Sequence, residues 1–321
     1  MPASFSWAFD AAAGVYKNHS ISGQLLMVAA REWKFVPFTA KQNSFGKKKG
    51  ETLTLVYYKP LSDPTTAVLS EDIRIPIDQL TMSTTSITIQ EWGRGVEYTD
   101  LAQQLSVFDP GEAAQKALKD QMQQAMDVAA ATQFQSTDAK ICYIPTSLTG
   151  GTWDTDGTPS TAATVNITKN HIGAIRDYMS KDLHIPFYSG ETYVGILSTK
   201  ALRGLKDDKV LEAWNQYLQK GDFLYRGEVG MCESVRFVEC NNEAALSNNV
   251  GTGSVLGEGV VFGEDAVARI EIEFPHLRAQ PNFTADFGRR HAVAWYGTVA
   301  FGVMFPTAND REARIVRICS A

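Results

Sequence analysis

Apolar and polar positions change their rhythm several times along the 321 residues. In the first forty, Phe5, Trp7, Phe9, Val15 and Tyr16 follow no sustained period, and an apolar run at 25–30 precedes Arg31, Glu32 and Trp33. Such a segment buries its aromatics only against the main body or a neighbouring chain, and it reads as an extended arm with a short helix. Residues 41–50 are polar and turn-rich and lead into 52–58, a β-branched and aromatic run stopped by Pro60. After a Pro-, Thr- and Asp-rich turn region at 61–69, Ile73, Ile75 and Ile77 alternate with Arg74, Pro76 and Asp78. The pattern predicts a long two-stranded loop over 41–80 with little core of its own. An isolated hairpin is marginally stable in water, so this one is expected to lie against a partner. A second alternating run, 86–92, ends at Gly93.

The clearest helix comes next. Asp109 is a good N-cap, Pro110 suits the first helical position, and Glu112 completes a capping-box pattern. Ala114, Leu118, Met122, Ala125, Met126 and Ala129 then form one stripe at three- and four-residue spacing. Over 110–134 the helix is ~37 Å long at 1.5 Å per residue, a one-sided spine whose methionines pack a core. A strand at 141–144, an exposed Gly- and Asp-rich loop at 150–157, and an amphipathic helix capped by Thr168 follow. Further on, the pattern predicts a strand at 192–197, a short helix with Leu202 and Leu205, and a helix at 210–218. The remainder is mainly β, with strands at 229–238, 259–274, 292–305 and 314–318, and a polar surface loop at 241–259. Helix and strand mix without regular βαβ alternation, which favours an α+β fold.

Charge and composition narrow the function. Thirty Lys and Arg against thirty-six Asp and Glu leave a net charge of −6, which argues against a general nucleic-acid binder. Apolar residues at 44% suffice for a core, and 321 residues allow two domains or one large one. The first fourteen residues lack a basic stretch, and the apolar segment 292–305 is broken by Gly297, Thr298 and Gly302. Neither an export signal nor a spanning helix is therefore expected, and the chain reads as soluble and intracellular. Cys142, Cys232, Cys240 and Cys319 have no metal-ligand spacing and read as buried thiols, with Cys232 and Cys240 as candidate hairpin neighbours.

Tests for catalysis come back empty. P-loop, Gly-x-Ser-x-Gly and His-Glu-x-x-His motifs are absent. Gly251, Gly253 and Gly257 follow a polar loop and precede a strand, whereas a dinucleotide site needs a helix N-terminus after its glycines. Asp154, Asp156 and Gly157 lack the third acidic position and closing Glu of a calcium loop. His19, His171, His184, His276 and His291 are scattered singly. The sequons at Asn18, Asn166 and Asn282 carry no meaning without secretion. Lys47, Lys48 and Lys49 form the one tight basic cluster, either a solvated loop tip or a contact to an acidic patch on another subunit.

Several segments together resemble one family, the major capsid proteins of tailed bacteriophages with the HK97 fold, in the subfamily known from short-tailed phages. Gly50, Glu51 and Thr52 open the hairpin strand that closes at Pro60, and 71–76 ends the loop. Residues 92–100, from Trp92 and Gly93 to Thr99 and Asp100, look like that subfamily's signature before the spine helix. Residues 193–198 followed by 202–207 are similar to the strand and short helix that open the axial domain. Gly227 to Gly230 with 235–238 resembles the axial hairpin. The resemblance implies an N-terminal arm (1–40), an E-loop (41–80), a peripheral domain (81–165) with the spine helix, an axial domain (166–290) and a return to the peripheral domain (291–321).

It further implies a non-enzymatic protein without cofactor or metal. Copies would assemble as hexamers and pentamers into an icosahedral head holding double-stranded DNA non-specifically, built in the bacterial cytoplasm and found in the virion. Scaffolding, portal and decoration proteins are the further partners implied. The candidate inter-subunit contacts are Lys47, Lys48, Lys49, Tyr57 and Tyr58. Some family members crosslink covalently through a Lys, an Asn and a catalytic Glu; here 292–305 holds no acid, so crosslinking is not expected. The alternative is an encapsulin-like nanocompartment shell. More distant readings are an enzyme whose triad only the fold assembles, and a calcium- or glycan-binding adhesin or decoration protein.

Overall fold

The computed structural model describes residues 33–42, 50–59, 61, 68–69, 71–72, 74–75, 77–106, 109–159, 161–207, 228–247, 249, 257–279, 289–307 and 312–321. The arm before residue 33, Lys47 to Lys49 and the helix expected at 210–218 lie outside these residues. In chain order the elements are β1 (Ala40–Gln42), β2 (Thr52–Tyr58), β3 (Met82–Thr88), β4 (Gln90–Thr99), α1 (Asp100–Leu105), α2 (Pro110–Phe134), β5 (Ile141–Ser147) and β6 (Gly150–Asp154). They continue as α3 (Lys169–Asp177), β7 (Tyr193–Ser198), α4 (Arg203–Lys206), β8 (Glu228–Cys232), β9 (Val235–Cys240), β10 (Gly257–Phe262), β11 (Val267–Ala279), β12 (Arg290–Val303) and β13 (Ile315–Ser320).

Three sheets organise the chain: a four-stranded sheet in the order β1-β11-β12-β4, a seven-stranded sheet in the order β6-β5-β13-β10-β7-β9-β8, and the hairpin β2-β3. Helix α2 fills the space between the two larger sheets. Its Leu118, Met126 and Phe134 meet Val293, Trp295 and Val299 of β12 as well as Ile196, Val238 and Phe262 of the seven-stranded sheet. The opposite face of that sheet carries Tyr143, Tyr193, Leu197, Phe237 and Val261 and is covered by Ile172 and Ile175 of α3, with Met179, Leu202 and Leu205. Buried on both faces, β7 has no polar alternation, which is why it reads as a continuous apolar run.

The spine helix has the predicted bounds. The Asp109 side chain accepts from Gly111 N–H at 2.8 Å, and Pro110 occupies the first turn. Glu112 instead pairs with Lys116 one turn on, at 2.7 Å.

Other expectations shift. The second hairpin strand is Met82–Thr88, whereas Ile75 and Ile77 are exposed and outside any strand. Only Ile87 is buried in that strand, so its apolar signal is a single residue. The strand expected to stop at Gly93 runs on to Thr99, because Gly93 and Gly95 lie opposite Tyr296 and Ala294 of β12. A Cβ on Gly93 would come within 2.9 Å of the Trp295 carbonyl oxygen.

The loop at 150–157 begins as strand β6, where Trp153 stacks on Tyr178 with ring centroids 4.1 Å apart. The 229–238 run is two strands joined at Glu233 and Ser234, both at positive φ, and 259–274 is likewise split around Asp265. Cys232 lies beside Val235 at the turn while Cys240 sits at the far end of β9, so the two are not neighbours.

Candidate functional site

Two features stand out against this frame: the hairpin, and the segment 33–39 that meets the spine helix. In the hairpin, period-two alternation sends Leu53, Leu55 and Tyr57 of β2, with Ser83, Thr85 and Ile87 of β3, to one face. That inner face lies on the side of the four-stranded sheet away from α2. There Leu53, Leu55 and Ile87 pack with Ala268, Ile270 and Ala300. Ile87 sits directly over Gly302, where an added Cβ would be 2.6 Å from Ile87 Cγ1. The hairpin is thus seated on its own chain along this face, which corrects the expectation that it has little support of its own.

Further along β2 the contact turns polar. The Glu312 carboxylate, 4% exposed, accepts from the Tyr57 hydroxyl at 3.0 Å and from the Thr307 hydroxyl. Lys59 Nζ stands 2.8 Å from its other oxygen. The Tyr57 ring meets Phe305 edge-on, and the Arg314 guanidinium lies 4.7 Å over Phe305. Burial alone would raise the Glu312 carboxyl, but the hydrogen bonds from Lys59, Thr307 and Tyr57, with the Lys59 charge, bring it below the usual carboxylate range. Burial, followed by the facing carboxylate, pushes the Tyr57 phenol up.

The outer face is different. Near the base it is a hydroxyl ladder, with Thr52 against Thr88 and Thr54 against Ser86, each at 3.3 Å. Towards the tip it becomes apolar: Val56 (63% exposed), Tyr58 (74%) and Met82 (63%) stand in water. Between the two strands in sequence, Leu61, Val68, Leu69, Ile75, Ile77 and Leu80 are exposed too, and together these positions hold more than half of the exposed large hydrophobics among the described residues. Of the contact residues expected from sequence, Tyr58 lies on this outer face, while the Tyr57 hydroxyl is engaged within the chain.

Against segment 33–39, Asp127 is a buried carboxylate in the middle of α2. Its Oδ1 accepts from the backbone N–H groups of Lys34 (2.8 Å), Phe35 (2.7 Å) and Val36 (3.4 Å). It thereby caps the 3-10 turn at Val36–Phe38, whose Phe38 packs on Tyr188 and Phe262, and ties residues 34–36 to the spine helix. Burial dominates its titration and holds the carboxyl above the usual range, although the three N–H donors and Lys34 pull the other way. A signal was present in the sequence: Asp127 shares the i, i+3, i+4, i+7 stripe with Ala130, Ala131 and Phe134, where a lone acid needs buried donors.

No group of three or more His, Cys, Asp or Glu among the described residues is placed to hold a metal ion. His171 is consumed structurally, with Nδ1 accepting from Thr168 N–H and Nε2 lying 2.7 Å from the Ser147 carbonyl. Asp156 accepts from the Thr158 N–H and hydroxyl in a local turn. No described helix is long and apolar enough to cross a membrane.

No family model matches the sequence, and no curated protein matches it. Solved structures do. The cyanophage Pam1 capsid asymmetric unit aligns with a TM-score of 0.69 at 16% identity, covering 99% of each chain. The capsid of Ralstonia phage GP4 gives 0.69 at 14% identity over 98% of each chain. The capsid of Helicobacter pylori bacteriophage KHP30 gives 0.68 at 12% identity, over 98% of this chain and 99% of that one. At such identities the agreement is one of fold: this chain has the α+β fold of phage capsid structures from end to end.

Proposed function

We propose that the chain is the major capsid protein of a tailed bacteriophage, a structural subunit that assembles in many copies into an icosahedral head around double-stranded DNA. The observation that carries this reading is the end-to-end likeness to phage capsids, covering 99% of each chain in the Pam1 comparison. The apolar outer face of the hairpin supports it, because a chain that exposes Val56, Tyr58 and Met82 together is completed by a neighbour. The matched structures named above are phage capsids, which favours a DNA-filled head over an encapsulin-like compartment and a structural role over a catalytic one.

Within this reading the fold is of the HK97 type, with the N-terminal arm at 1–40, the E-loop at 41–80, the peripheral domain at 81–165, the axial domain at 166–290 and the return at 291–321. The two large sheets cross these bounds. The four-stranded sheet with α2 is the peripheral part, to which β11 contributes; the seven-stranded sheet is the axial part, to which β5, β6 and β13 contribute. Copies contact one another in hexamers and pentamers through Lys47, Lys48, Lys49 and Tyr58, with Tyr57 setting the hairpin beneath them. β12 carries no acid, so covalent crosslinking is not part of the reading. Scaffolding, portal and decoration proteins and non-specifically held DNA are the further partners, and assembly takes place in the bacterial cytoplasm before the protein resides in the virion.

The test is sedimentation velocity with negative-stain microscopy on the full chain, expressed alone and with its genomic neighbours. Shells, or hexamers and pentamers that convert to shells, are expected. A stable monomer or dimer under every condition overturns the proposal.

A further inference from the structure

Besides a bond from the Thr85 hydroxyl to the Met304 carbonyl at 3.2 Å, the hairpin is attached to the body at two places of different chemistry. Its footing is apolar: Leu53, Leu55 and Ile87 rest on the four-stranded sheet. Its second attachment is the buried Glu312 carboxylate, reached by Tyr57 and Lys59 from the hairpin side and by Thr307 from its own segment. Glu312 leads into β13, a strand of the other, seven-stranded sheet. From Leu55, the last apolar foot on β2, to Tyr57 and Lys59 is two to four residues of extended chain, or about 7–13 Å at ~3.3 Å per residue. A two-stranded ribbon held at one end pivots; held at two points that far apart, it has one angle. The two points also refer that angle to both large sheets at once.

We infer that Glu312 is a positioning residue for the hairpin, fixing the angle at which its apolar outer face is presented to a neighbouring copy. The inference rests on the shell reading for its consequence and on the subunit alone for its geometry. The footing positions the base, and the Glu312 latch sets the direction of the tip. A carboxylate suits the task because it takes Tyr57 and Thr307 on one oxygen and Lys59 on the other, so a single side chain fixes several distances. Buried, such a group has no water to replace a lost partner, and partial release is disfavoured.

The experiment is hydrogen–deuterium exchange on the unassembled full chain, followed by microscopy of whatever shells form. Glu312→Gln and Tyr57→Phe are expected to speed exchange at 56–59 and 82–84 by about tenfold or more, with β11, β12 and the seven-stranded sheet unchanged. Lys59→Arg, which keeps the ion pair, is expected to leave exchange near native, and this separates loss of the latch from mere substitution at the site. Assembled Glu312→Gln and Tyr57→Phe variants should give shells of mixed diameter. Unchanged exchange at 82–84 in both variants overturns the latch. Faster exchange with shells of native diameter overturns its role in positioning while leaving the shell reading intact. If the native chain forms no shells at all, the shell reading fails, and the exchange data alone still decide whether Glu312 holds the hairpin.

Discussion

Replacing Asp127 separates two properties of one buried carboxylate: its capacity to accept hydrogen bonds and its charge. In Asp127→Ala, the N–H groups of Lys34 and Phe35 lose acceptors at 2.8 and 2.7 Å, and Val36 loses a longer one at 3.4 Å. A buried donor left without a partner costs about 1–3 kcal/mol, so the two short bonds together are worth roughly 2–6 kcal/mol. Against a total stability of about 5–15 kcal/mol for a typical domain, that loss is severe. Asp127→Asn keeps an oxygen at the same place and removes the charge. Because the folded carboxyl is held above its usual range, the native state binds a proton more tightly than the unfolded chain does. Stability from this group is therefore fully present below the unfolded pKa and is lost as pH rises through the folded one, which means that ionised Asp127 costs stability at neutral pH.

Asp127→Asn is accordingly expected within about 1.5 kcal/mol of native at pH 7, far above Asp127→Ala, since it forfeits no acceptor and sheds the desolvation cost of the charge. On acidification the native chain should gain on the Asn variant as its own carboxyl takes up a proton. The assay is urea unfolding of the unassembled subunit followed by tryptophan fluorescence, with Trp33 packed near this site as a reporter. If Asp127→Asn proves as damaging as Asp127→Ala at neutral pH, charge rather than hydrogen bonding holds residues 34–36, and the reasoning fails.

Three further outcomes follow from the hairpin. Gly302→Ala puts a Cβ 2.6 Å from Ile87, so Ile87 must leave its seat; a cost of about 1–3 kcal/mol is expected, seen as lost exchange protection over 82–88 and absent if the footing is not a close fit. Tyr58→Asp should leave the subunit's thermal stability nearly native, because the side chain is 74% exposed. It should raise the protein concentration needed for assembly by about 100-fold, from ~3 kcal/mol per lost aromatic contact; unchanged assembly in light scattering would show that the outer face is not a contact. Gly50 has φ near +97° with open space around its Cβ position, so Gly50→Ala meets only backbone strain while Gly50→Pro cannot adopt the conformation at all. Only the Pro variant should block shells while giving a folded subunit by circular dichroism.

What was legible in the sequence was what depends on local chemistry. Asp109 and Pro110 announce the start of α2 and the apolar stripe carries it to Phe134, because capping and a helical stripe need no knowledge of distant residues. β7 reads as a strand because burial on both faces leaves it apolar up to its closing Ser198. The second hairpin strand was hidden, since its inward positions are Ser83, Thr85 and Ile87 and only the last is apolar; a tempting alternation of isoleucines nearby drew the pairing to 73–77 instead. Gly93 looked like a strand end because close packing against β12 is invisible until β12 is placed. The hairpin's polar anchor was also out of reach: Tyr57 and Glu312 are 255 residues apart, and nothing near Glu312 in the chain marks it as buried. Hairpin and spine are recognisable by order and composition, whereas the contacts that fix their mutual positions are long-range and visible only in three dimensions.

The most direct test of the central claim is an electron cryo-microscopy reconstruction of the particles formed by the full chain. The account predicts a closed icosahedral shell in which Val56, Tyr58 and Met82 of each hairpin lie against a neighbouring copy. Particles that never close, or a closed shell in which those three side chains face solvent, would contradict it.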